Sequence, residues 1–284
     1  MRTQNNIKQG FTLIELSIVL VIIGLLVGGV LVGQDLIRAA GVRATISQIE
    51  KYNTAVKTFQ DKYGALPGDL NASVASQFGF VARGTLPGQG DGNGVIQGRE
   101  GAASGNLQDG EPAVFWVDLS QAGLVDGGFS TATMATDTVP LAGSPNLYFP
   151  QAKLGQGNSV YVWSGGGTTD GTNYFGISVI SGFVSGAELQ SVAGLTVSQA
   201  YNIDKKIDDG LPQSGNVTAM YPTHSGGSGI GWGSGNQASY SGPPTAASST
   251  TCYDNGNQWW TIQQYSLTQN GGAGVNCALS FRFQ

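Results

Sequence analysis

From position 11 to position 34 the chain carries one charged side chain, Glu15, in a run dominated by leucine, isoleucine, valine and glycine. About 20 apolar residues in a helix cross the hydrocarbon core of a bilayer, so this run is long enough to do so. It is apolar on every side, as a helix is when lipid or other helices surround it. A carboxylate placed at that depth costs roughly 2.5–3.5 kcal/mol on insertion scales. Something must repay that cost, and Glu15 is therefore the first candidate functional residue.

An ordinary secretory signal does not account for the segment. The apolar stretch is longer than a signal core, and no small-residue cleavage pattern closes it. A plain membrane anchor explains the apolarity but neither Glu15 nor the glycine that ends the short basic leader at Gly10. The string Lys8-Gln9-Gly10-Phe11-Thr12-Leu13-Ile14-Glu15 resembles the processing site of type IV pilins and type II secretion pseudopilins. That resemblance implies cleavage between Gly10 and Phe11 by a prepilin peptidase, followed by methylation of the new Phe11 N-terminus. It also implies that Glu15 pairs with the methylated ammonium of a neighbouring subunit, a cation that makes a carboxylate tolerable in an apolar core. The implied partners are the peptidase, an inner-membrane assembly platform, and other pilins or pseudopilins in a filament. The implied location is a single pass in the bacterial inner membrane before assembly, and a periplasmic or cell-surface filament afterwards.

No proline occurs between Phe11 and Tyr63. Beyond Asp35, Val42, Ile46, Ile49, Tyr52, Val56, Phe59 and Tyr63 recur at steps of three and four, which is one helical stripe. One helix is expected, spanning roughly 80 Å at about 1.5 Å per residue. Four segments follow: a leader over 1–10, a transmembrane or filament-core helix over 11–34, an amphipathic helix over 35–63 packed on a head, and an extracytoplasmic head over 64–284. Gly64 reads as the helix cap and Pro67-Gly68 as a turn. The string Tyr63-Gly64-Ala65-Leu66-Pro67-Gly68-Asp69 is similar to the helix exit of a subset of prepilin-type proteins. Many pilins carry a proline midway along the apolar segment. Here Gly24, Gly28, Gly29 and Gly33 stand in that segment, with spacings that suit close helix packing. That departure and the large head favour a minor pilin or minor pseudopilin over a major pilin.

Charged residues make up 11% of the chain and glycine 45 of 284, against about 25% and 7% in ordinary soluble proteins. Such a composition fits a loop-rich extracytoplasmic head. The expected fold class is α+β, pilin-like: a long N-terminal helix on a head with an antiparallel sheet. Residues 84–110 read as glycine-rich loop, Glu111 to Ala122 as a helix with one apolar face, and Tyr161 to Trp163 and Tyr174 to Ile180 as strands. Thr196 and Gln199 make a capping-box pattern for a helix ending near Ile207. Val217 to Tyr221 reads as a strand, 224–250 as a surface loop, and Ala278 to Phe283 as the last strand.

Export makes Cys252 and Cys277 a candidate disulfide, the alternative being two unrelated buried thiols. Asp204, Asp208 and Asp209, beside Gly210, are candidate calcium ligands, since calcium takes several oxygens on a turn. Capping and turn formation explain them as well, and also explain Asp91-Gly92-Asn93-Gly94. No other cofactor is expected. The only histidine, His224, lies in a Gly/Ser stretch, and no nucleophile elbow or His/Cys metal cluster occurs, so no enzyme is expected. After residue 100 the basic residues are Lys153, Lys205, Lys206 and Arg282, too few and too scattered for a nucleic-acid surface. Trp232, Trp259 and Trp260 in an uncharged segment leave a ligand-binding or adhesive head displayed on a stalk as the alternative.

Overall fold

The computed structural model describes residues 12–98, 108–134, 145–165, 171–184, 188–222, 230–232, 249–254 and 263–283. The chain divides into two compact units, Met1–Gly41 and Val42–Gln284. The first helix, α1 (Leu13–Tyr63), contributes to both. Every large apolar side chain from Leu13 to Ile37 is at least half exposed. This part of α1 is long and apolar enough to cross a membrane.

Burial begins at Val42. Val42, Thr45, Gln48, Ile49, Ala55, Val56 and Phe59 are buried, and Ile46, Tyr52 and Tyr63 pack against the core half-buried. The stripe read from the sequence is thus the buried face, widened by Thr45, Gln48 and Ala55. Polar Gln48 is admitted because its amide is used fully. It donates to the Tyr52 hydroxyl and to the Gln151 carbonyl, and it accepts the Lys153 backbone N–H. Helix α1 stops at Gly64, whose positive φ of 82° suits a glycine cap, with its N–H on the Gln60 carbonyl.

Two further helices follow in the chain. The short α2 (Ala72–Phe78) starts on an Asn71 side-chain cap and ends at Gly79. Next, α3 (Glu111–Gln121) is buried at every position from Glu111 to Leu119. The one-faced reading of α3 is therefore corrected: it is an interior helix. Its rings join one aromatic cluster, with Trp116 edge-on to Tyr52 at 4.9 Å and Phe115 edge-on to Phe175.

The strands are β1 (Asn158–Ser164), β2 (Asn173–Val184), β3 (Glu188–Val192) and β4 (Leu195–Thr196), then helix α4 (Val197–Ile207). Beyond it come β5 (Val217–Thr218), β6 (Met220–Pro222), β7 (Ile230–Trp232), β8 (Tyr253–Asp254), β9 (Gln264–Tyr265), β10 (Val275–Cys277) and β11 (Leu279–Arg282). All pairings are antiparallel, so the fold is α+β. The main sheet runs β1-β2-β11-β5, with β3 also on β2. Strand β2 is its hub. Gly176 there faces Tyr161 of β1, and a Cβ at Gly176 would lie 2.2 Å from the tyrosine ring. The ring lies over the bare glycine, and its hydroxyl bonds the Ser178 hydroxyl.

Two expectations change, and the expected last strand takes an inner place. The stretch from Val217 to Tyr221 divides at Ala219 into β5 and β6, which pair in different sheets. The 224–250 stretch contains strand β7, which pairs with β6. The last strand, β11, lies inside the sheet between β2 and β5. Helix α4 has the capping box expected of Thr196 and Gln199.

Fully burying each of Val42, Ile49, Val56 and Phe59 is worth roughly 1.5–3 kcal/mol, against a net domain stability of about 5–15 kcal/mol. A chain starting at Asp35 is expected to be soluble and to melt cooperatively by circular dichroism. One starting at Leu66 is expected to show no cooperative transition. Equal melting of the two would remove α1 from the head's core.

Candidate functional site

Gly10 and Phe11 lie outside the described residues. The first described residue, Thr12, caps α1 together with Glu15. The Glu15 carboxylate accepts the Thr12 backbone N–H and the Thr12 hydroxyl, each at 2.8 Å. In return the Thr12 hydroxyl oxygen accepts the Glu15 N–H at 3.3 Å. This reciprocal pattern satisfies donors at a helix start that have no partner within the helix. It also supplies polar contacts to a carboxylate on an otherwise apolar surface. Thr12 supplies every contact that the described residues make to the Glu15 carboxylate.

The head gathers its buried charge where α3 begins. Gly68 has φ +87°, and a Cβ there would lie 2.5 Å from the Glu111 carbonyl, so only glycine lets the Pro67-Gly68 turn press on α3. That approach brings Asp69 to Glu111. Carboxylate oxygens of Asp69, Asp91 and Glu111 all lie within 4.8 Å of one another. Asp69 and Glu111 are buried. Asp69 accepts the N–H groups of Gly92 and Gly94 at 2.7 and 2.8 Å. Glu111 accepts those of Gly90 and Gln97 at 3.0 and 2.9 Å. The exposed Asp91 turns back on Asn93. Burial, and then the negative charge of Asp69, push the Glu111 carboxyl up to about 8. Burial pushes Asp69 up to about 6, against the two N–H bonds that hold it down.

Beside this cluster the Arg83 guanidinium meets the Asp118 carboxylate out of contact with solvent. The same carboxylate oxygen accepts the Gly68 N–H. Arg83 also donates to the Leu70 and Val81 carbonyls, so one cation ties three backbone segments together. Sequence reasoning missed Asp69, Arg83, Glu111 and Asp118. The available signal was Asp69 set among apolar neighbours in Leu66-Pro67-Gly68-Asp69-Leu70.

Asp204, Asp208 and Asp209 do come together, with carboxylate oxygens within 4.8 Å. Their oxygens serve the exit of α4. Asp204 accepts the Gly210 N–H and the Tyr265 hydroxyl. Asp208 accepts the Asn216 and Val217 N–H groups, and Asp209 accepts the Leu211 N–H and the Ser214 hydroxyl. This is the capping and turn-forming arrangement weighed against calcium. Burial pushes Asp204 up to about 7 while the Tyr265 hydroxyl and Gly210 N–H pull the other way.

Cys252 and Cys277 are joined as a disulfide. It ties the start of the β8–β9 hairpin to β10, hence to β4 and the start of α4. A cleft of about 560 Å³ is lined by Lys51, Tyr52, Phe129, Phe149 and Lys153 among others. His224, Trp259 and Trp260 lie outside the described residues, and for Trp232 only its backbone place in β7 is described.

Residues 5–31 match the family model described as the prokaryotic N-terminal methylation motif. The match spans Gly10, Phe11 and Glu15 and is consistent with the type IV pilin and pseudopilin family. The long apolar helix and the antiparallel head are likewise pilin-like. No curated protein and no solved structure matches the chain.

Replacing both cysteines by alanine frees a loop closed over 25 residues. The chain-entropy model expects a loss of about 3–4 kcal/mol, read as a lower denaturant midpoint. Arg83→Ala leaves Asp118 buried without its cation. The expected loss is about 3–5 kcal/mol in the same measurement, and a change under about 0.5 kcal/mol would mean that the pair carries no stability.

Proposed function

We propose that this chain is a structural subunit, processed at Gly10 and assembled through its N-terminal helix into a type IV pilus or a type II secretion-type filament. The observation that carries the reading is the methylation motif over residues 5–31, lying on a helix whose apolar side chains are exposed from Leu13 to Ile37. Exposed apolar surface on that scale marks a membrane or protein interface. A helix of this kind sits in lipid while the subunit waits and among like helices once it is incorporated.

In this reading the prepilin peptidase cuts between Gly10 and Phe11, and Phe11 becomes the methylated N-terminus. Glu15 is held by Thr12 in the lone subunit. In a filament the ammonium of a neighbouring Phe11 supplies the charge that Thr12 cannot. The partners are the peptidase, other pilins or pseudopilins and an inner-membrane assembly platform. The head lies on the extracytoplasmic side, where a disulfide persists. Glycines at 24, 28, 29 and 33 in place of a mid-helix proline favour a minor subunit.

Mass spectrometry of the membrane-extracted protein tests the processing step. The expected chain begins at methylated Phe11, and an intact leader in cells with active peptidase would refute it. Glu15→Ala is expected to insert and be cleaved, because removing a charge eases insertion, yet to be missing from sheared filament fractions. Incorporation at the normal level would end the pairing role of Glu15.

A further inference from the structure

Two backbone segments and one helix start converge on a pair of buried carboxyl groups. Asp69, in the turn after α1, is 1% exposed, and Glu111, the first residue of α3, is 0% exposed. Each receives two backbone N–H bonds from one stretch of chain, residues 90–97. Those four bonds are a clamp. Their donors alternate between the two acids along the stretch: Gly90 to Glu111, Gly92 and Gly94 to Asp69, Gln97 to Glu111. The loop is thereby stitched to both the turn and the helix.

Among the described residues, the charge nearest this pair is a further carboxylate. Asp91, on the clamped loop, adds a third carboxylate within 4.8 Å. On the turn side Arg83 is the neighbouring cation, and its guanidinium is committed to Asp118 of α3 and to the Leu70 and Val81 carbonyls. Asp109, two residues ahead of Glu111, is buried too. Two carboxylates this close and this dry cannot both be ionised without strong mutual repulsion. Four N–H donors offset part of that repulsion but bring no full positive charge.

We propose that the Asp69–Glu111 pair is a proton-dependent clamp that holds the 90–97 loop when the pair keeps a proton and loosens it when both groups ionise. The sign follows from linkage. Folding raises both groups above the ordinary carboxyl range, to about 6 and about 8. The folded head therefore binds more protons than the unfolded chain between about pH 4 and pH 8, and stability falls with rising pH across that window. Deprotonation of Glu111 beside an ionised Asp69 is the last step, so the loop opens at the alkaline end.

Hydrogen–deuterium exchange of the detergent-solubilised full chain tests this in buffer with EDTA, so that protons alone vary. Peptides covering residues 86–98 are followed at about pH 6, 7, 8 and 9, corrected for the intrinsic rate, with β2 peptides as the internal reference. Asp204 also titrates high, but it contributes to the whole fold and not to this loop alone. Protection of 86–98 relative to β2 is expected to fall at least about tenfold between pH 7 and pH 9, the equivalent of one pKa unit. Glu111→Gln is expected to flatten that ratio, and Asp69→Asn to move its fall to lower pH or remove it. A constant ratio in the unmodified protein overturns the proposal whether or not the variants fold. So does an unchanged fall in a folded Glu111→Gln protein.

Discussion

The head depends on a helix that it only partly owns. From Val42 to Tyr63, α1 places Ile49, Val56 and Phe59 at the centre of the core, with Tyr52 touching both Trp116 of α3 and Phe175 of β2. A sheet with a single strand pair or two packed against nothing is marginal in water. Here the covering layer is this helix together with α3. Phe59, Tyr63, Phe78 and Phe80 then form an aromatic knot between the end of α1 and the end of α2. The exit from α1 is fixed by Gly64 and by that knot, and this sets where Pro67-Gly68 meets α3. The positions of Asp69 and Arg83 follow from that one contact.

The same helix serves two solvents. Its first unit presents leucine, isoleucine and valine on every side, whereas from Val42 apolar side chains keep to one face. The contacts between Thr12 and Glu15 lie within one helical turn, so the start of α1 is closed without help from the head.

Local rules made α1, the Gly64 cap and the α4 capping box legible, because each is decided within a few residues. Asn71 and Gly79 were equally local marks of α2, left unread. What could not be read is what distant segments decide. Helix α3 looked one-faced because Val114, Phe115, Leu119 and Ala122 are spaced for one side, while Glu111 and Asp118 are residues seldom buried without a partner. Both are buried, Glu111 on backbone N–H groups from a loop and Asp118 on Arg83, 35 residues away. Strand β11 was legible as the last strand, but its place inside the sheet depends on long-range pairing and not on chain order. The cysteine pair was legible because the N-terminal segment had already implied export.

Buried acid is where this head departs from an ordinary core. Glu111, Asp69, Asp118 and Asp204 are each held at or near complete burial, yet they are held in different ways. Asp118 has a guanidinium, Asp204 has a tyrosine hydroxyl and one N–H, and the Asp69–Glu111 pair has four backbone N–H groups and the Asp91 carboxyl beside it. Burial pushes all four carboxyls up, and the guanidinium at Asp118 and the N–H and hydroxyl donors at the others pull the other way. A chain with 11% charged residues could have left these positions apolar at less desolvation cost. In a head whose loops are rich in glycine, four N–H bonds directed at fixed carboxyl groups select one backbone path from the many that glycine allows. The acids therefore replace, at the glycine-rich segment, the ordering that side-chain packing gives to the sheet.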